Sequence, residues 1–304
     1  MKQTIGDIGQ LRTELSFWRN HLEALNRSPK TIRNYLDSGE QLATFLEAKG
    51  MPTAVEAITR EHIEAFVVAV MERTSSSTAA TRFRALQQLF KWLAEDEGAL
   101  GANPMARMKP PRLDEKQVAV IDEDSLRRLL KACEGRSFVD RRDAAVVRVL
   151  LSTGARVGEL TGITMDDVDL DRRELRVMGK GRRERSLPLS PKAAKVVIRY
   201  LRERARHPQA DSPYLWIGLR GRLTDSGVTQ ILRRRCEQAG IPRVHPHQFR
   251  HSFSHLFLAR GGNEHDLARL NGWSSLQMVG RYAESAADER AKQAHGRLAP
   301  GEWL

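Results

Sequence analysis

Apolar residues in the first hundred positions recur every three or four residues, which is the spacing of an amphipathic helix. The pattern predicts helices over residues 10–25, 29–49 and 60–72, and a fourth after the segment TSSSTAA whose apolar stripe ends at Leu93. Ser28 is a preferred N-cap residue, Pro29 suits the first helical position, and Gly50 is a typical residue at which a helix ends. These elements together predict a small helical bundle.

One long segment interrupts the helical pattern. Residues 103–118 contain several prolines and basic residues and have no helical periodicity, so we predict a linker between domains there. The linker divides the chain into a helical domain at residues 1–108 and a second domain at residues 109–304.

The second domain mixes helices with one pair of strands. Helical patterns cover residues 122–133, 140–152, 191–206, 224–239, 248–260, 263–271 and 275–281, and a last one lies in SAADERAKQAH. Residues 174–178 and 184–189 alternate apolar and polar side chains on either side of GKGRR, which predicts a β-hairpin with glycines at its turn. The predicted fold class is therefore mainly α with a small β-sheet: an N-terminal helical bundle followed by an α+β domain.

The charge balance indicates what the protein binds. The 304 residues include 50 Lys and Arg against 38 Asp and Glu, a formal net charge of +12. A basic surface attracts phosphates and releases their counterions, so the expected partner is a polyanion. The sequence has no apolar run long enough to span a bilayer, and a membrane is not an expected partner. Two isolated cysteines and the lack of an apolar N-terminal signal segment predict a reduced, cytoplasmic setting.

The histidine-rich stretch HPHQFRHSFSH raises the alternative of a metal site. His251 and His255 lie one helical turn apart, but the glutamate that helical zinc hydrolases place between paired histidines is missing. The cationic neighbours Arg243 and Arg250 would also repel a divalent ion. We predict no metal at this stretch.

Phosphoryl transfer on a nucleic acid suits the same residues better. Arg250 follows His247 by three positions, so both can share one helix face with His251 beside them. Arginine grips two phosphate oxygens and stays charged, whereas lysine can give up a proton and act as an acid. Arg156 stands between two glycines with Glu159 three residues later to orient it. Taken alone, Arg250 would be an ordinary surface charge, and Arg156 with Glu159 would be a local surface ion pair that adds little stability.

A third candidate lies in the predicted hairpin. Lys180, in GKG, is on a glycine-flanked turn from which its side chain could reach into a groove. Taken alone, it could also be an ordinary solvated turn residue.

Together, four stretches resemble the catalytic domain of the tyrosine recombinase (phage integrase) family, and in particular its compact Xer-like members. They are TGARVGEL, GKGRRERSLPL, HPHQFRH and GWSSLQMVGRY, in the order and spacing of the family over about 150 residues. The preceding bundle, with SPKTIRNY, resembles the family's SAM-like core-binding domain. The resemblance implies a DNA-binding domain at residues 1–108 and a catalytic domain with a C-terminal tail at residues 109–304.

The resemblance implies a site-specific recombinase that cleaves and rejoins DNA strands through a 3′-phosphotyrosine. Tyr282 would attack the scissile phosphate, Arg156 and Arg250 would hold its oxygens, Lys180 would protonate the leaving 5′ oxygen, and His247 would take the proton of the phenol. The two remaining members of the pocket would be His251 and Trp273, with Glu159 in support.

The chain departs from the Xer-like pattern at one position. Most Xer-like relatives have histidine where this chain has Trp273, although tryptophan is an accepted variant, as in Cre-type recombinases. An indole offers one N–H to a phosphate oxygen but cannot exchange a proton. Trp273 either contacts phosphate or packs under the tyrosine helix, and both could hold.

The resemblance also implies partners. In the first domain we expect DNA contacts from Thr31, Arg33, Arg82, Arg84 and Lys91. Basic residues of the linker lie either along the DNA backbone or in solvent. The expected partner is double-stranded DNA. We expect no arm-binding domain in this protein and therefore short, simple target sites. We expect no metal or nucleotide cofactor, because the phosphotyrosine conserves the bond energy.

A homotetramer on paired sites is also expected, in which the C-terminal tail docks on a neighbouring protomer. Leu298 and Trp303 are candidate anchors, and the alternative is a tail folded back on its own domain.

Two alternative functions remain at the level of sequence. One is a type IB topoisomerase, which uses a similar pocket to relax supercoils as a monomer. The other is a DNA-binding regulator that kept the fold and lost catalysis. The four stretches do not separate a phage or mobile-element integrase from a chromosomal Xer protein.

Overall fold

The chain forms two compact units, residues 1–116 and 117–304. The computed structural model describes residues 9–113, 119–179, 184–219, 221–273, 275–280, 282, 291, 295–296 and 299. The boundary that we predict between residues 108 and 109 stays a prediction. The predicted linker begins too early, however, because Met105 and Met108 are buried in the hydrophobic core of the first unit. Gln87 also donates its side-chain N–H to the backbone oxygen of Met108 at 3.4 Å.

The first unit is a helical bundle, as the apolar stripes predict. Its helices are α1 (Leu11–Ala24), α2 (Pro29–Ala48), α3 (Arg60–Arg73) and α4 (Ser76–Glu95). Ser28 caps α2 by accepting a hydrogen bond from the Thr31 backbone at 3.1 Å, with Pro29 in the first turn. Helix α4 begins earlier than expected, since Ser75 caps it by accepting from the backbone N–H of Thr78 at 3.2 Å.

The second unit combines helices with a small sheet. Its elements are α5 (Glu123–Ala132), α6 (Phe138–Thr153), α7 (Val157–Gly162), β1 (Val168–Asp169), β2 (Glu174–Met178), β3 (Glu184–Pro188), α8 (Pro191–Arg204), α9 (Asp225–Ala239), α10 (Pro246–Ala259) and α11 (Glu264–Asn271). Residues 277–280 and Tyr282 are helical. The last predicted helix, in SAADERAKQAH, lies almost entirely outside the described residues.

The sheet is the predicted hairpin with one added strand. Strands β2 and β3 pair antiparallel, with Leu175 opposite Leu187 and Val177 opposite Arg185. The hairpin tip, residues 180–183, lies outside the described residues. Strand β1 pairs with the other edge of β2, placing Val168 opposite Leu175. The sequence did not predict β1, because two residues are too few to show an alternating pattern.

Helix α6 lies at the centre of the second unit. Its apolar side chains, including Val146, Val149 and Leu150, are fully buried in the core. Two of its buried residues, Arg142 and Asp143, are charged. Asp143 accepts hydrogen bonds from Arg142 and from Arg235 of α9, each at 2.8 Å. This pairing compensates the buried carboxylate and fixes α9 against α6. The C-terminal end of α6 leads directly into the candidate site.

Candidate active site

Helix α10 carries three of the predicted site residues in its first two turns. It begins at Pro246, two residues before the predicted start, because the backbone N–H of His245 donates to the Gln248 side chain at 2.8 Å in a capping box. The early start places His247 inside the first turn. His247 and His251 then contact each other, with ring centroids 4.5 Å apart and nearly perpendicular planes.

The Arg250 guanidinium is fixed by two backbone carbonyls from different helices. Its Nη1 donates to the Gly154 oxygen at 2.9 Å, and its Nη2 donates to the Asn271 oxygen at 2.6 Å. Gly154 has a φ of 58°, and a Cβ at this position would lie 2.7 Å from the Phe253 ring. Only glycine therefore lets the end of α6 come this close to α10. Arg250 is 2% exposed.

Arg156 is placed by the start of α7. It is the N-cap residue of that helix, and its backbone N–H donates to Oε2 of Glu159 at 2.8 Å. Its Nη1 donates to the other carboxylate oxygen of Glu159 at 2.7 Å. The Glu159 side chain is buried, whereas that of Arg156 is 40% exposed. The buried Glu159 carboxylate therefore orients the exposed guanidinium of Arg156, as expected from the sequence.

Tyr282 lies between two aromatic rings. Its ring stacks on Trp273 at a centroid distance of 5.0 Å and an interplanar angle of 17°, and it lies 4.9 Å from the His251 ring. The Arg250 guanidinium lies over the Trp273 ring, 5.1 Å from the centroid. Tyr282 belongs to a small apolar cluster with Leu258, Ala259, Leu267 and Val279. The phenol is thus held against His251 of α10 and Trp273, within electrostatic range of the buried Arg250.

The electrostatics of this group favour an anion. Burial and then the charge of Arg156 lower the pKa of Arg250 to about 10, and the nearby Glu159 carboxylate only partly offsets them. The guanidinium therefore stays charged at neutral pH. Burial, followed by the charges of Arg250 and Arg156, lowers the pKa of His247 below its ordinary 6.5. Burial, His247 and Arg250 together lower the pKa of His251 to about 4. Both histidines are therefore neutral at pH 7.

The structure brings together seven of the eight predicted site residues, whose catalytic roles stay predictions. The seven are Arg156, Glu159, His247, Arg250, His251, Trp273 and Tyr282. Lys180 lies outside the described residues. Within the described part of the chain, no three His, Cys, Asp or Glu side chains are grouped so that they could hold a metal ion.

The five residues predicted to contact DNA lie on α2 and α4 of the first unit. Arg33 and Arg84 are exposed. Lys91 is exposed beside Glu95, with their charged atoms 3.6 Å apart. Arg82 is half-buried and donates to the Ser38 hydroxyl at 3.1 Å, and the Thr31 hydroxyl is shared with the α2 cap, 2.8 Å from that of Ser28. These last two side chains thus also stabilise the bundle.

Sequence reasoning missed three residues that hold the site together. Arg185 of β3 donates to Oε2 of Glu159 at 2.8 Å. Asn271 is fully buried, and its side-chain N–H donates to the Ser254 hydroxyl at 3.0 Å. The Ser254 hydroxyl in turn donates to the backbone carbonyl of Arg250 at 2.8 Å. The signal for Arg185 was its place in the alternating strand pattern, where it shares the inward face with Leu187. Nothing local marked Asn271 or Ser254.

No helix within the described residues combines the length and apolar character needed to cross a membrane.

Comparison with known proteins gives two family matches that divide the chain as the fold does. Residues 119–289 match the phage integrase family, and residues 15–99 match the phage integrase N-terminal SAM-like domain. Tyrosine recombinase XerC of Chromobacterium violaceum is 31% identical over 86% of this chain and 86% of its own length.

Two solved structures share the fold at low sequence identity. The XerH site-specific recombinase, bound to its palindromic difH substrate in a post-cleavage complex, has a TM-score of 0.73 at 18% identity and covers 93% of this chain and 84% of its own. A lambda integrase tetramer bound to a Holliday junction has a TM-score of 0.69 at 19% identity, covering 92% and 80% respectively. The chain therefore belongs to the phage integrase family of tyrosine site-specific recombinases.

Proposed function

We propose that this recombinase cleaves duplex DNA with Tyr282 as its nucleophile. The phenol oxygen forms a bond to the scissile phosphorus while the bond from phosphorus to the 5′ oxygen breaks, which leaves a 3′-phosphotyrosine and a free 5′-hydroxyl. The observation that carries the proposal is the position of the Tyr282 ring between His251 and Trp273, beside the buried guanidinium of Arg250. Attack by the 5′-hydroxyl of another strand would reverse the step and rejoin DNA without a cofactor.

Arg156 and Arg250 would bind the non-bridging oxygens of the phosphate. Two planar guanidinium groups, each already oriented by fixed oxygens, can stabilise the charge of a pentavalent transition state without reorganising. Binding an anion would also offset the burial and the repulsion from Arg156 that lower the pKa of Arg250. The indole N–H of Trp273 is a candidate third donor.

His247 would accept the phenol proton. A free tyrosine has a pKa of about 10, so it needs both nearby positive charge and a proton acceptor to attack at neutral pH. His247 suits this role because its lowered pKa keeps the imidazole neutral. His251, which contacts both His247 and Tyr282, would orient these two side chains.

The pH dependence of cleavage should report His247. With DNA well below its dissociation constant, the apparent second-order rate constant reflects the free enzyme. Protonation removes the base, and the pKa of His247 is lowered, so this rate constant should stay level as pH falls to 6.5 and decline only below that value. A His247→Gln variant should lack this decline. A wild-type decline centred above pH 6.5 would contradict the role.

Lys180 would protonate the leaving 5′ oxygen. A lysine can supply a proton that an arginine cannot, and a sulfur leaving group needs no proton. Lys180→Ala should therefore cleave an ordinary phosphodiester much more slowly, yet cleave a substrate with sulfur in place of the 5′ oxygen at nearly the wild-type rate. Single-turnover rates on the two substrates measure this, with Lys192→Ala as a control from the start of α8. Equal losses on both substrates would count against an acid role.

The first unit would bind the DNA backbone next to the scissile site. Arg33, Arg84 and Lys91 present exposed cations on α2 and α4, and Thr31 and Arg82 lie beside them. Phosphate contacts of this kind fix position and register rather than sequence.

A cytoplasmic location also stays a prediction of the sequence.

The active assembly would be a homotetramer on two DNA sites. The lambda integrase tetramer on a Holliday junction supports this proposal through its shared fold. Leu298 and Trp303, in the tail that would connect protomers, lie outside the described residues.

Recombination between two selected sites tests the function as a whole. Binding sites would first be selected from a library of duplexes with a randomised centre, and two copies would then be placed in one plasmid. The proposal predicts exchange of the flanking DNA and a protein–DNA adduct that survives denaturation. Selected DNA that is bound without exchange and without adduct would contradict it.

A further inference from the structure

Arg185 is a charged residue at an inward position of the sheet. It lies opposite Val177 and shares its strand face with Leu187, which is fully buried. Its side chain is only 13% exposed. The reaction described above gives it no role, yet burying a guanidinium is costly unless its hydrogen bonds are made.

The Arg185 guanidinium joins two parts of the site. One terminal nitrogen donates to Oε2 of Glu159 at 2.8 Å, and the other donates to the backbone oxygen of Leu270 in α11. Glu159 uses its second oxygen to hold Arg156. One carboxylate therefore orients both arginines.

The contact with α11 has a parallel in Arg250. Leu270 and Asn271 are the last two residues of α11, and their carbonyls accept from Arg185 and Arg250 respectively. Two arginines thus cap one helix end, where carbonyls lack intrahelical partners and attract cations. The chain then turns at Gly272 directly into Trp273.

Gly272 and Arg185 are in close contact. A Cβ at Gly272 would lie 3.0 Å from Cδ of Arg185 and 3.1 Å from its Nε, and Gly272 has a φ of 61°. The arginine therefore packs across the turn that carries Trp273. This contact connects the strand side chain to the ring that stacks on Tyr282.

We propose that Arg185 is a positioning residue, which orients Arg156 through Glu159 and places Trp273 through the end of α11. The inference rests on the proposed function of Tyr282 and Arg156. Arg185 itself would not touch the phosphate, because its terminal nitrogens are held by Glu159 and the Leu270 carbonyl and its Nε is buried. It acts by keeping Glu159 charged and fixed. Burial opposes the ionisation of Glu159, but the backbone N–H of Arg156, the charge of Arg185 and the Arg156 side chain together lower the pKa of this carboxyl.

Removing the Arg185 charge should slow chemistry more than binding. We expect Arg185→Gln to reduce the single-turnover cleavage rate at saturating DNA on the order of tenfold to a hundredfold, because a small misplacement of Arg156 costs transition-state stabilisation. Arg185→Lys should recover part of the rate, because an ammonium still balances the charge of Glu159 but cannot bind both Glu159 and the Leu270 carbonyl. Arg176→Gln is the matched control, with the same charge change on a half-exposed arginine of β2.

A neutral substrate separates positioning from a folding defect. When the scissile phosphate is replaced by a methylphosphonate, its charge is lost and Arg156 has less to stabilise. The loss caused by Arg185→Gln should then shrink. A smaller folded fraction would lower both rates by the same factor, so the ratio of the two rates reports positioning even if the variant is less stable.

The outcomes distinguish this inference from the function on which it rests. Wild-type protein that gives no covalent adduct would overturn the proposed function. If the wild type cleaves, two results would overturn only the role of Arg185. One is an Arg185→Gln cleavage rate equal to that of Arg176→Gln, and the other is an equal loss of rate on the charged and the neutral substrate. A selective loss on the charged substrate, at DNA affinity equal to that of the control, supports it.

Discussion

Tyr282→Phe is expected to abolish the covalent adduct with DNA and all strand exchange, while DNA binding persists. Phenylalanine keeps the ring that stacks on Trp273 and lies against His251, and it keeps the packing against Leu258 and Val279. Only the nucleophilic oxygen is removed, so the apolar cluster should stay intact. Denaturing gel analysis of a nicked duplex, whose cleaved end cannot be religated, measures the adduct directly.

The other tyrosines provide the control. Tyr214→Phe, in the same unit, removes a hydroxyl from a half-buried ring that carries the Arg222 guanidinium, and it should leave adduct formation unchanged. Tyr200 is unsuited as a nucleophile, because burial raises its pKa to about 12 and its hydroxyl is hydrogen-bonded to Leu215 and Ile217. An adduct formed by Tyr282→Phe would show that another side chain attacks.

Arg250→Lys should lower the cleavage rate on the order of a hundredfold to a thousandfold, the loss typical of removing one preorganised donor from a transition state. The charge is retained, but an ammonium cannot reach both the Gly154 and Asn271 carbonyls in the planar geometry that fixes the guanidinium. The lysine would also leave one of these buried oxygens without a donor. Single-turnover cleavage at saturating DNA measures the effect.

Arg260→Lys is the matched control for this substitution. Arg260 lies at the other end of α10, and its side chain is 74% exposed beside Glu123. It should cleave at the wild-type rate. Thermal unfolding of both variants separates a loss of stability from a loss of chemistry. A correctly folded Arg250→Lys variant that cleaved like Arg260→Lys would contradict the role of the buried guanidinium.

Helix positions were predictable wherever local chemistry marks a helix end. Ser28 with Pro29, Asp122, Thr224 and Asn263 all cap helices as their residue types predict, within a residue or two of the expected bounds. Such caps depend on side chains and backbone groups only two or three residues apart. The apolar stripes between them then fixed which helix faces are buried.

The errors arose where several local choices were possible or distant contacts decided. Helix α4 could start at any of several serines, and Ser75 is the one that caps it. Helix α10 could start at Pro246 or later, and the capping box of His245 with Gln248 settles it. Met105 is in a segment whose prolines indicate a linker, yet it is buried because the bundle offers it an apolar surface.

The candidate site was predictable as a set of motifs but not as a network. Arg156, Arg250 and Tyr282 stand in stretches whose residue types and order are specific enough to recognise. The hydrogen bonds of Arg185 and Asn271, in contrast, join elements that are distant in sequence, and a strand arginine or a helix-terminal asparagine has many ordinary roles. Only the tertiary structure identifies them as supports of the site.

Mapping the covalent bond tests the central claim most directly. The adduct formed on a selected duplex would be digested with protease and nuclease, and the peptide that carries a nucleotide would be sequenced by mass spectrometry. We expect a 3′-nucleotide on Tyr282, together with a free 5′-hydroxyl on the released strand. A nucleotide on any other residue, or a bond to the 5′ end of the DNA, would contradict it.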